Sequence, residues 1–546
     1  MFNLGIYGSH NSAFAIGKDD EVLEVVELER LINLKNAGMW FWGHHDNAVE
    51  ILLEVQEYFR KKYGVVKYAN VIYNSVEQYQ DKGWWPYREQ IFPSLNYEHF
   101  KHHESHAYCA LYQSPYDKAL IISFDGGSDE GYFNIYVGDK KSKTPMVKIY
   151  EGKKDYAVSY MIPAHFIEDI KIENIYAGNL VYAGKLMGLA AYGSVREEYI
   201  QPLIEFYHHN QTDNIAVAAG KFISLFDRFG IKILSAARSD QNYELQCADL
   251  GYGTVATRLT GKDGWDLATT NQYVFEKLFF EETQSFLDQY HDVPVILVGG
   301  CALNIINNTR LAQTREVFVP PNPNDCGQAL GLLCSKIKPS KPVDCTYIGP
   351  EVWDRHELTR ILAERKGFNW EISSIAKDIT EGKIVGVVRG RAEHGPRALG
   401  NRSILCDPMI KNMKDVLNQK VKGREYYRPF APIVRLEDVN KFFEWTKESR
   451  FMSFSPKVRP EYRSVIPAVT HVDGTARVQT VTREQNEFIY DLLTELDKLR
   501  GVGVILNTSF NIAGKPILNT YKDALWVLDN KQMDLLVLED YIISKG

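Results

Sequence analysis

The sequence has few of the features that would crosslink it or anchor it. Its seven cysteines (Cys109, Cys247, Cys301, Cys326, Cys334, Cys345 and Cys406) are odd in number and scattered, and none forms a Cys-x-x-Cys pair. That excludes a disulfide framework and a cysteine zinc site and suits a reducing compartment. No window approaches 18 consecutive apolar residues, and Met1-Phe2-Asn3-Leu4-Gly5 lacks a basic leader, so no membrane span or signal peptide is expected and the location expected is cytoplasmic. No Gly-Lys is followed by Ser or Thr, which excludes a Walker A loop. Neither short repeats nor low-complexity tracts occur.

What is present is an ordinary globular composition: 546 residues, 45% hydrophobic and 24% charged, enough to bury a core. The formal net charge of -7 argues against nucleic acid, yet it is unevenly spread. Between Arg389 and Arg428 ten Lys/Arg face four Asp/Glu, a local +6 in a chain otherwise at -13.

Lys336-Ile337-Lys338-Pro339-Ser340-Lys341-Pro342 reads as a linker, which divides the chain into bodies of residues 1–340 and 346–546. In the first, Phe2–Tyr7 reads as a strand paired with Val22–Leu28. Ala119–Phe124 and Val293–Val298 read as strands that end in Asp125-Gly126-Gly127 and Gly299-Gly300. Glycines at the C-terminal ends of β-branched runs are where α/β sheets place ligands. Asn47–Tyr63 and Asn271–Tyr290 have helical periodicity. The second body repeats the alternation, with strands at Lys383–Val388 and Val502–Leu506 and a helix at Glu484–Leu499. Both bodies are expected to be α/β.

Three constellations could carry chemistry. His99-Phe100-Lys101-His102-His103-Glu104-Ser105-His106 opens a helix, where imidazoles four apart share a face and can hold one metal ion. His102/His106 and His99/His103 both qualify, and a merely exposed histidine run is the bland alternative. Asp125 could add an oxygen; Asp325 could do so too, or simply cap a helix. Gly126-Gly127, Gly184-Lys185 and Gly299-Gly300, the last followed by Asn304, could approach a phosphate closely or be turns. In the basic island, Arg391, Arg397 and Arg402 alternate with glycines, and Lys422, Arg424 and Arg428 follow, a pattern suited to a small phosphorylated ligand. An RNA surface that stacks bases on Tyr426, Tyr427 and Phe430 is the rival reading. Asn507-Thr508-Ser509-Phe510-Asn511 follows a strand and alone signals a turn.

Taken in order, these segments resemble the NodU/CmcH-type (TobZ-like) carbamoyltransferases. The likeness rests on Gly8-Ser9-His10-Asn11-Ser12-Ala13, Glu27-Leu28-Glu29-Arg30 with Lys35, His102–Ala107, Ser123–Gly127, Gly184–Ala190, Gly299–Asn304, Gly395-Pro396-Arg397-Ala398-Leu399-Gly400-Asn401-Arg402-Ser403 and Leu506–Asn511. His394 departs from the aromatic or apolar residue more usual there. The resemblance implies an N-terminal actin/sugar-kinase-like (ASKHA) domain of duplicated ribonuclease-H-like halves and a C-terminal YrdC-like α/β domain. It implies an ATP-dependent O-carbamoyltransferase: the C-terminal domain joins carbamoyl phosphate to ATP, giving carbamoyl-adenylate and pyrophosphate, and the N-terminal domain passes the carbamoyl group to a hydroxyl of a small-molecule or sugar acceptor. Carried over, Arg397, Lys422, Arg428, Arg477, Asn507 and Ser509 hold carbamoyl phosphate and ATP. A metal, usually iron as Fe2+, falls on His102, His106, Asp125 and Asp325. His10 and Lys35 stand beside the acceptor, and Gly126, Gly127, Lys185, Gly299, Gly300 and Asn304 are nucleotide-binding. ATP as cosubstrate, Mg2+, no nucleic acid, no membrane and an optional homodimer complete the expectation. Transfer to an amine, or an idle nucleotide- or RNA-binding scaffold, are the alternatives. The acceptor would be selected by Met39–His45, Gly83–Tyr87 and His208–Gly220.

Overall fold

A computed structural model describes residues 1–39, 48–74, 85–128, 130–170, 175–211, 215–231, 259–512 and 514–545. Residues 40–45, 83–84 and 212–214 of the expected acceptor loops, and Cys247, lie outside that set. The described ends of the third loop are helical, His208 in Glu197–His209 and Gly220 in Ile215–Arg228.

Two five-stranded mixed sheets build the first body. The first contains β1 (Phe2–Tyr7), β2 (Ala13–Lys18), β3 (Glu21–Glu27), β4 (Asn70–Asn74) and β5 (Tyr97–His99), in the order β3-β2-β1-β4-β5. The second contains β6 (Lys118–Ser128), β7 (Gly131–Asp139), β8 (Met146–Gly152), β9 (Val295–Val298) and β10 (Val317–Phe318), in the order β8-β7-β6-β9-β10. In each, the first three strands are an antiparallel meander and the last two pair parallel to the first and to each other. One topology is thus used twice.

The partner of β1 is β2, with Phe2 opposite Lys18 and Tyr7 opposite Ala13, and β3 is one strand further out. This corrects the direct pairing expected for Val22–Leu28. Ala13-Phe14-Ala15-Ile16-Gly17-Lys18 has little β-branching and no alternation, because its first five residues are all buried. β6 also differs from expectation: it continues through Gly126 and Gly127 to Ser128, with a register shift after Phe124.

Helices His102–Gln113 and Gln328–Ile337 lie between the two sheets. Their buried residues, such as Ala107, Leu111, Leu330 and Leu333, share one core with Ile72 and Ala15 of the first sheet and Ile121 and Val298 of the second. Each fully buried aliphatic side chain there contributes about 1.5–3 kcal/mol. The two helices nearly touch at Gly331, where an added Cβ would overlap the Ser105 carbonyl.

The second body is one eight-stranded mixed sheet with β11 (Phe368–Asn369), β12 (Val385–Val388), β13 (Arg402–Cys406), β14 (Ala431–Arg435), β15 (Gln479–Val481), β16 (Val504–Ser509), β17 (Leu535–Leu538) and β18 (Tyr541–Ser544). Its order is β11-β18-β17-β12-β13-β16-β14-β15. Helices Ile372–Thr380 and Glu487–Arg500 cover one face through Ile375, Ile379, Leu492 and Leu496. The other face joins the largest core, which runs on into the first body. Among the described residues no helix is long and apolar enough to cross a membrane.

Candidate functional site

At the start of helix His102–Gln113 the four-residue spacing brings His102 and His106 onto one face. Asp125 reaches them from the irregular end of β6, and Asp325 from the turn Asp325–Gly327 that leads into Gln328–Ile337. One ligand atom from each of these four lies within 4.8 Å of all the others. His106 Nε2 stands 2.9 Å from Asp125 Oδ2 and 3.3 Å from Asp325 Oδ1, and His102 Nε2 is 3.4 Å from Asp325 Oδ1. Yet neither ring nitrogen of His106, nor Asp325 Oδ1, has a hydrogen-bond partner. With no hydrogen bond between them, these atoms can serve one ion in common. Ligands about 2.1 Å from one ion stand about 3.0–3.4 Å apart, so the donor set fits a transition metal.

The electrostatics agree. Burial lowers the affinity of His102 for a proton, but Asp325 and Asp125 more than reverse this and push its pKa up to about 10. Asp325 is held well below the usual carboxylate range, with its desolvation overcome by His10, His102 and His106. The two buried carboxylates favour a positive charge beside them, which a proton on His102 supplies in the free protein and an ion could replace. Tyr7, at the end of β1, donates to Asp325 Oδ2 at 2.6 Å and orients it. His103 belongs to the core instead, with Nδ1 2.8 Å from Ser123 Oγ and its pKa pushed down to about 3 by burial. The pairing left open between His102/His106 and His99/His103 therefore resolves to the first. Asp325 is no helix cap: its carboxylate is engaged by Tyr7 and the three histidines.

In the second body, Arg397, Arg424 and Arg477 are partly buried and Lys422 is buried. Desolvation and the neighbouring Arg428 push Arg397 down to about 10; desolvation, reinforced by Arg428 on all three and by Arg424 on Lys422 and Arg477, holds Lys422, Arg424 and Arg477 well below their usual values. Arg397 and Arg477 make no ion pair among the described residues, and Arg477 Nε is buried without a hydrogen-bond partner. Glu425, 3.9 Å from Arg428, partly offsets Arg424, but Arg397, Lys422 and Arg477 have no ion pair among the described residues, and such a cluster calls for a polyanion. Arg424 received no role from the resemblance, yet it repels both Lys422 and Arg477 and so belongs to the same cluster.

The rest of the basic island is structural, which corrects its reading as one phosphate-binding unit. Arg391 donates to the Gly349, Leu23 and Ile348 carbonyls. Arg402 is fully buried and donates to the carbonyls of Arg389, Gly390 and Asn401 and to Asn519 Oδ1. Arg402→Met is expected to cost at least about 3 kcal/mol in urea unfolding, because it strands buried carbonyls. The RNA rival loses its platform as well: Tyr427 and Phe430 are buried, and of the three rings Tyr426 alone is exposed.

Loop 393–402 is held by the first body. Arg30 donates to the Glu393 and Gly395 carbonyls at 2.6 and 2.8 Å, and the Gly395 N–H donates to Glu27 Oε1 at 2.7 Å. Gly395 has φ +128°, and a Cβ there would overlap the Pro321 carbonyl, so the loop lies directly on the segment that leads to Asp325. His394 ties the same two segments: its Nδ1 is 2.7 Å from Asn322 Nδ2 and its Nε2 2.9 Å from the Cys326 carbonyl. An apolar residue at His394 could make neither bond. The Glu27-Leu28-Glu29-Arg30 string was legible as a motif, but its partners across the bodies were not.

One cavity of about 440 Å³ connects these centres, and His10, Lys35, Asp125, Asp325, Arg397 and Arg477 all line it. His10 Nε2 is 3.2 Å from Asp325 Oδ2, and Nδ1 is 3.1 Å from Asn11 Oδ1. Lys35 acts electrostatically on both Glu29 and Lys422. Buried Lys185 is paired with Glu425 of the second body at 2.8 Å. Gly300 N–H donates to Asp125 Oδ2 at 2.9 Å and Gly126 N–H to Asp125 Oδ1 at 2.7 Å, so both glycines orient that carboxylate. Gly127 lies in β6 and Gly299 follows β9. Asn304 caps helix Ile305–Ala312 and exchanges hydrogen bonds with Gln272. Lys422 Nζ is bound by Ser509 and Asn511, while Asn507 Nδ2 grips the Ala398 carbonyl and leaves its Oδ1 buried without a partner.

A two-body α/β protein that brings a His/carboxylate cluster and a desolvated cluster of cations onto one cavity is built as a group-transfer enzyme. The chain is a member of the carbamoyltransferase family: residues 47–334 match the family model described as Carbamoyltransferase N-terminus, and 376–545 the one described as Carbamoyltransferase C-terminus. It is 33% identical over 463 residues to the nodulation protein NolNO of Sinorhizobium fredii, covering 81% of this chain and 63% of that protein. It is 31% identical to NolO of Bradyrhizobium diazoefficiens, covering 81% and 78%. An uncharacterized protein of Methanocaldococcus jannaschii is 27% identical over 99% of both chains. A crystal structure of full-length HypF in its phosphate- and nucleotide-bound form covers 62% of this chain and 46% of its own, at 13% identity and a TM-score of 0.35.

Proposed function

We propose that the chain is an ATP-dependent O-carbamoyltransferase. The observation that carries this is one cavity with a cluster of largely unpaired cations at one end and a metal-ligand set beside His10 and Lys35 at the other. The repeated strand order supports an actin-like first body and the separate eight-stranded sheet a YrdC-like second one, divided near residues 341–345.

In the second body, Arg397, Arg428 and Arg477, with Arg424, offset the repulsion between carbamoyl phosphate and Mg·ATP. Water releases carbamate and phosphate from carbamoyl phosphate; the carbamate oxygen then bonds to the α-phosphorus of ATP as pyrophosphate leaves. Lys422 organises the Ser509–Asn511 turn around these groups. Carbamoyl-adenylate then passes along the cavity. The acceptor hydroxyl attacks its carbonyl carbon, His10 takes the hydroxyl proton with Asp325 stabilising the imidazolium, and AMP departs. Lys35, which lines the same cavity, balances the tetrahedral oxyanion. His102, His106, Asp125 and Asp325 would hold the metal, expected to be Fe2+, which when bound supplies Lewis acidity.

The test is purified protein with carbamoyl phosphate, Mg2+ and ATP labelled in the γ-phosphate. Release of labelled pyrophosphate that depends on carbamoyl phosphate is expected. Background release at every donor concentration would sink the proposal.

A further inference from the structure

One polar group in the cavity wall is explained neither by the cation site nor by the arginine cluster. His471 lines the cavity beside Arg477. Its Nδ1 stands 3.0 Å from Thr475 Oγ1. The single hydroxyl proton of Thr475 can go to that nitrogen or to Asp473 Oδ1 at 2.8 Å, which the Thr475 backbone N–H also reaches at 2.9 Å. The carboxylate is the stronger acceptor because it is charged. The hydroxyl oxygen therefore accepts from the ring, Nδ1 carries the imidazole proton, and Nε2 is left with a lone pair. That Nε2 is buried and has no hydrogen-bond partner. Burial, opposed by Asp473 and reinforced by Arg477 and Lys414, pushes the pKa of the ring down to about 4, so it stays neutral at neutral pH.

Arg477 and Lys414, the cations that act on the ring, make no hydrogen bond to this lone pair, and phosphate oxygens only accept. A ligand recognised by its phosphates alone would leave Nε2 unsatisfied, at about 1–3 kcal/mol. The carbamoyl unit, however, ends in an amino group that donates two hydrogen bonds and has no use for cations. A ring this weakly basic is a poor proton acceptor for catalysis but an adequate hydrogen-bond acceptor.

We infer that His471 is a specificity-determining residue for the donor substrate: its Nε2 accepts a hydrogen bond from the carbamoyl amino group, so the cavity selects carbamoyl phosphate over an acyl phosphate of the same size. Thr475 and Asp473 are positioning residues that hold the required tautomer. The inference rests on the carbamoyl-phosphate reading above.

The test uses the full-length protein and two stable phosphonates, phosphonoacetamide and acetonylphosphonate, which differ as an amide and a methyl ketone of equal size. Calorimetry should show the wild type binding the amide about tenfold more tightly than the ketone, the worth of one net hydrogen bond. H471L should lose this preference by weakening the amide alone. H471Q, whose Oε1 can stand near the position of Nε2, should keep most of it, and T475V should lose part of it with the ketone unaffected. H471Q and T475V keep the inference falsifiable if H471L fails to fold. Equal losses for both phosphonates in H471L, or an unchanged preference, overturn the assignment. Pyrophosphate release by a wild type with no amide preference overturns the role of His471 alone. A wild type that binds neither phosphonate and releases no pyrophosphate overturns the carbamoyl-phosphate reading itself.

Discussion

Arg397→Ala is expected to lower pyrophosphate release by about 10²–10³-fold, the effect of removing one preorganised donor from a developing anionic centre. The melting temperature should not fall with it. Arg397 is partly buried, has no ion pair among the described residues and is repelled by Arg428, so its removal relieves strain in the free protein. Arg397→Lys should recover only part of the rate, because an ammonium restores the charge but not the planar fork that meets two oxygens at once. The contrast with Arg402→Met makes the experiment decisive: one change silences the chemistry and spares the fold, and the other damages the fold. If Arg397→Ala retained its rate, the polyanion site would have to lie elsewhere.

The second large effect is expected at the cation cluster. The wild type should carry about one metal ion per chain by elemental analysis, whereas His106→Ala should weaken retention by more than about 100-fold, beyond the 10–100-fold typical of losing an outer-shell partner. Tyr7→Phe, which removes the 2.6 Å hydrogen bond to Asp325, should fall within that outer-shell range. Pyrophosphate release should stay within about threefold of wild type in both variants, since the adenylating residues lie in the other body. Loss of adenylation together with the metal would show the cluster to be structural for the whole cavity instead.

Much of the fold was legible in the sequence, and where it was not the reasons are physical. Alternating bodies and ligand-bearing strand ends could be read because apolar runs and glycines are local signals. The strand Ala13–Lys18 escaped because a strand buried on both faces loses the period of two. At the cation site the spacing of His102 and His106 predicted a shared face, but it could not exclude His99 and His103; that took Ser123, which lies on a strand and engages His103. Counting charge located the basic island without sorting it. Arg391, Arg397 and Arg402 look alike in sequence, and only the placement of carbonyls from Leu23, Ile348 and Arg389 separates the two structural arginines from the third. His471 carries no signal of its own, because its tautomer depends on which way the Thr475 hydroxyl points.

The doubled topology has a consequence for the cation site. His102 and His106 head the helix that follows β5, and Asp325 immediately precedes the helix that follows β10; His10 follows β1, and Asp125 lies near the end of β6. Within the four-residue set the first half contributes only from the head of the helix after β5, whereas the second contributes from both matching stations; His10, at the station that corresponds to Asp125, lies beside the set, 3.2 Å from Asp325 Oδ2. A half on its own owns two imidazoles or two carboxylates, never the mixed set.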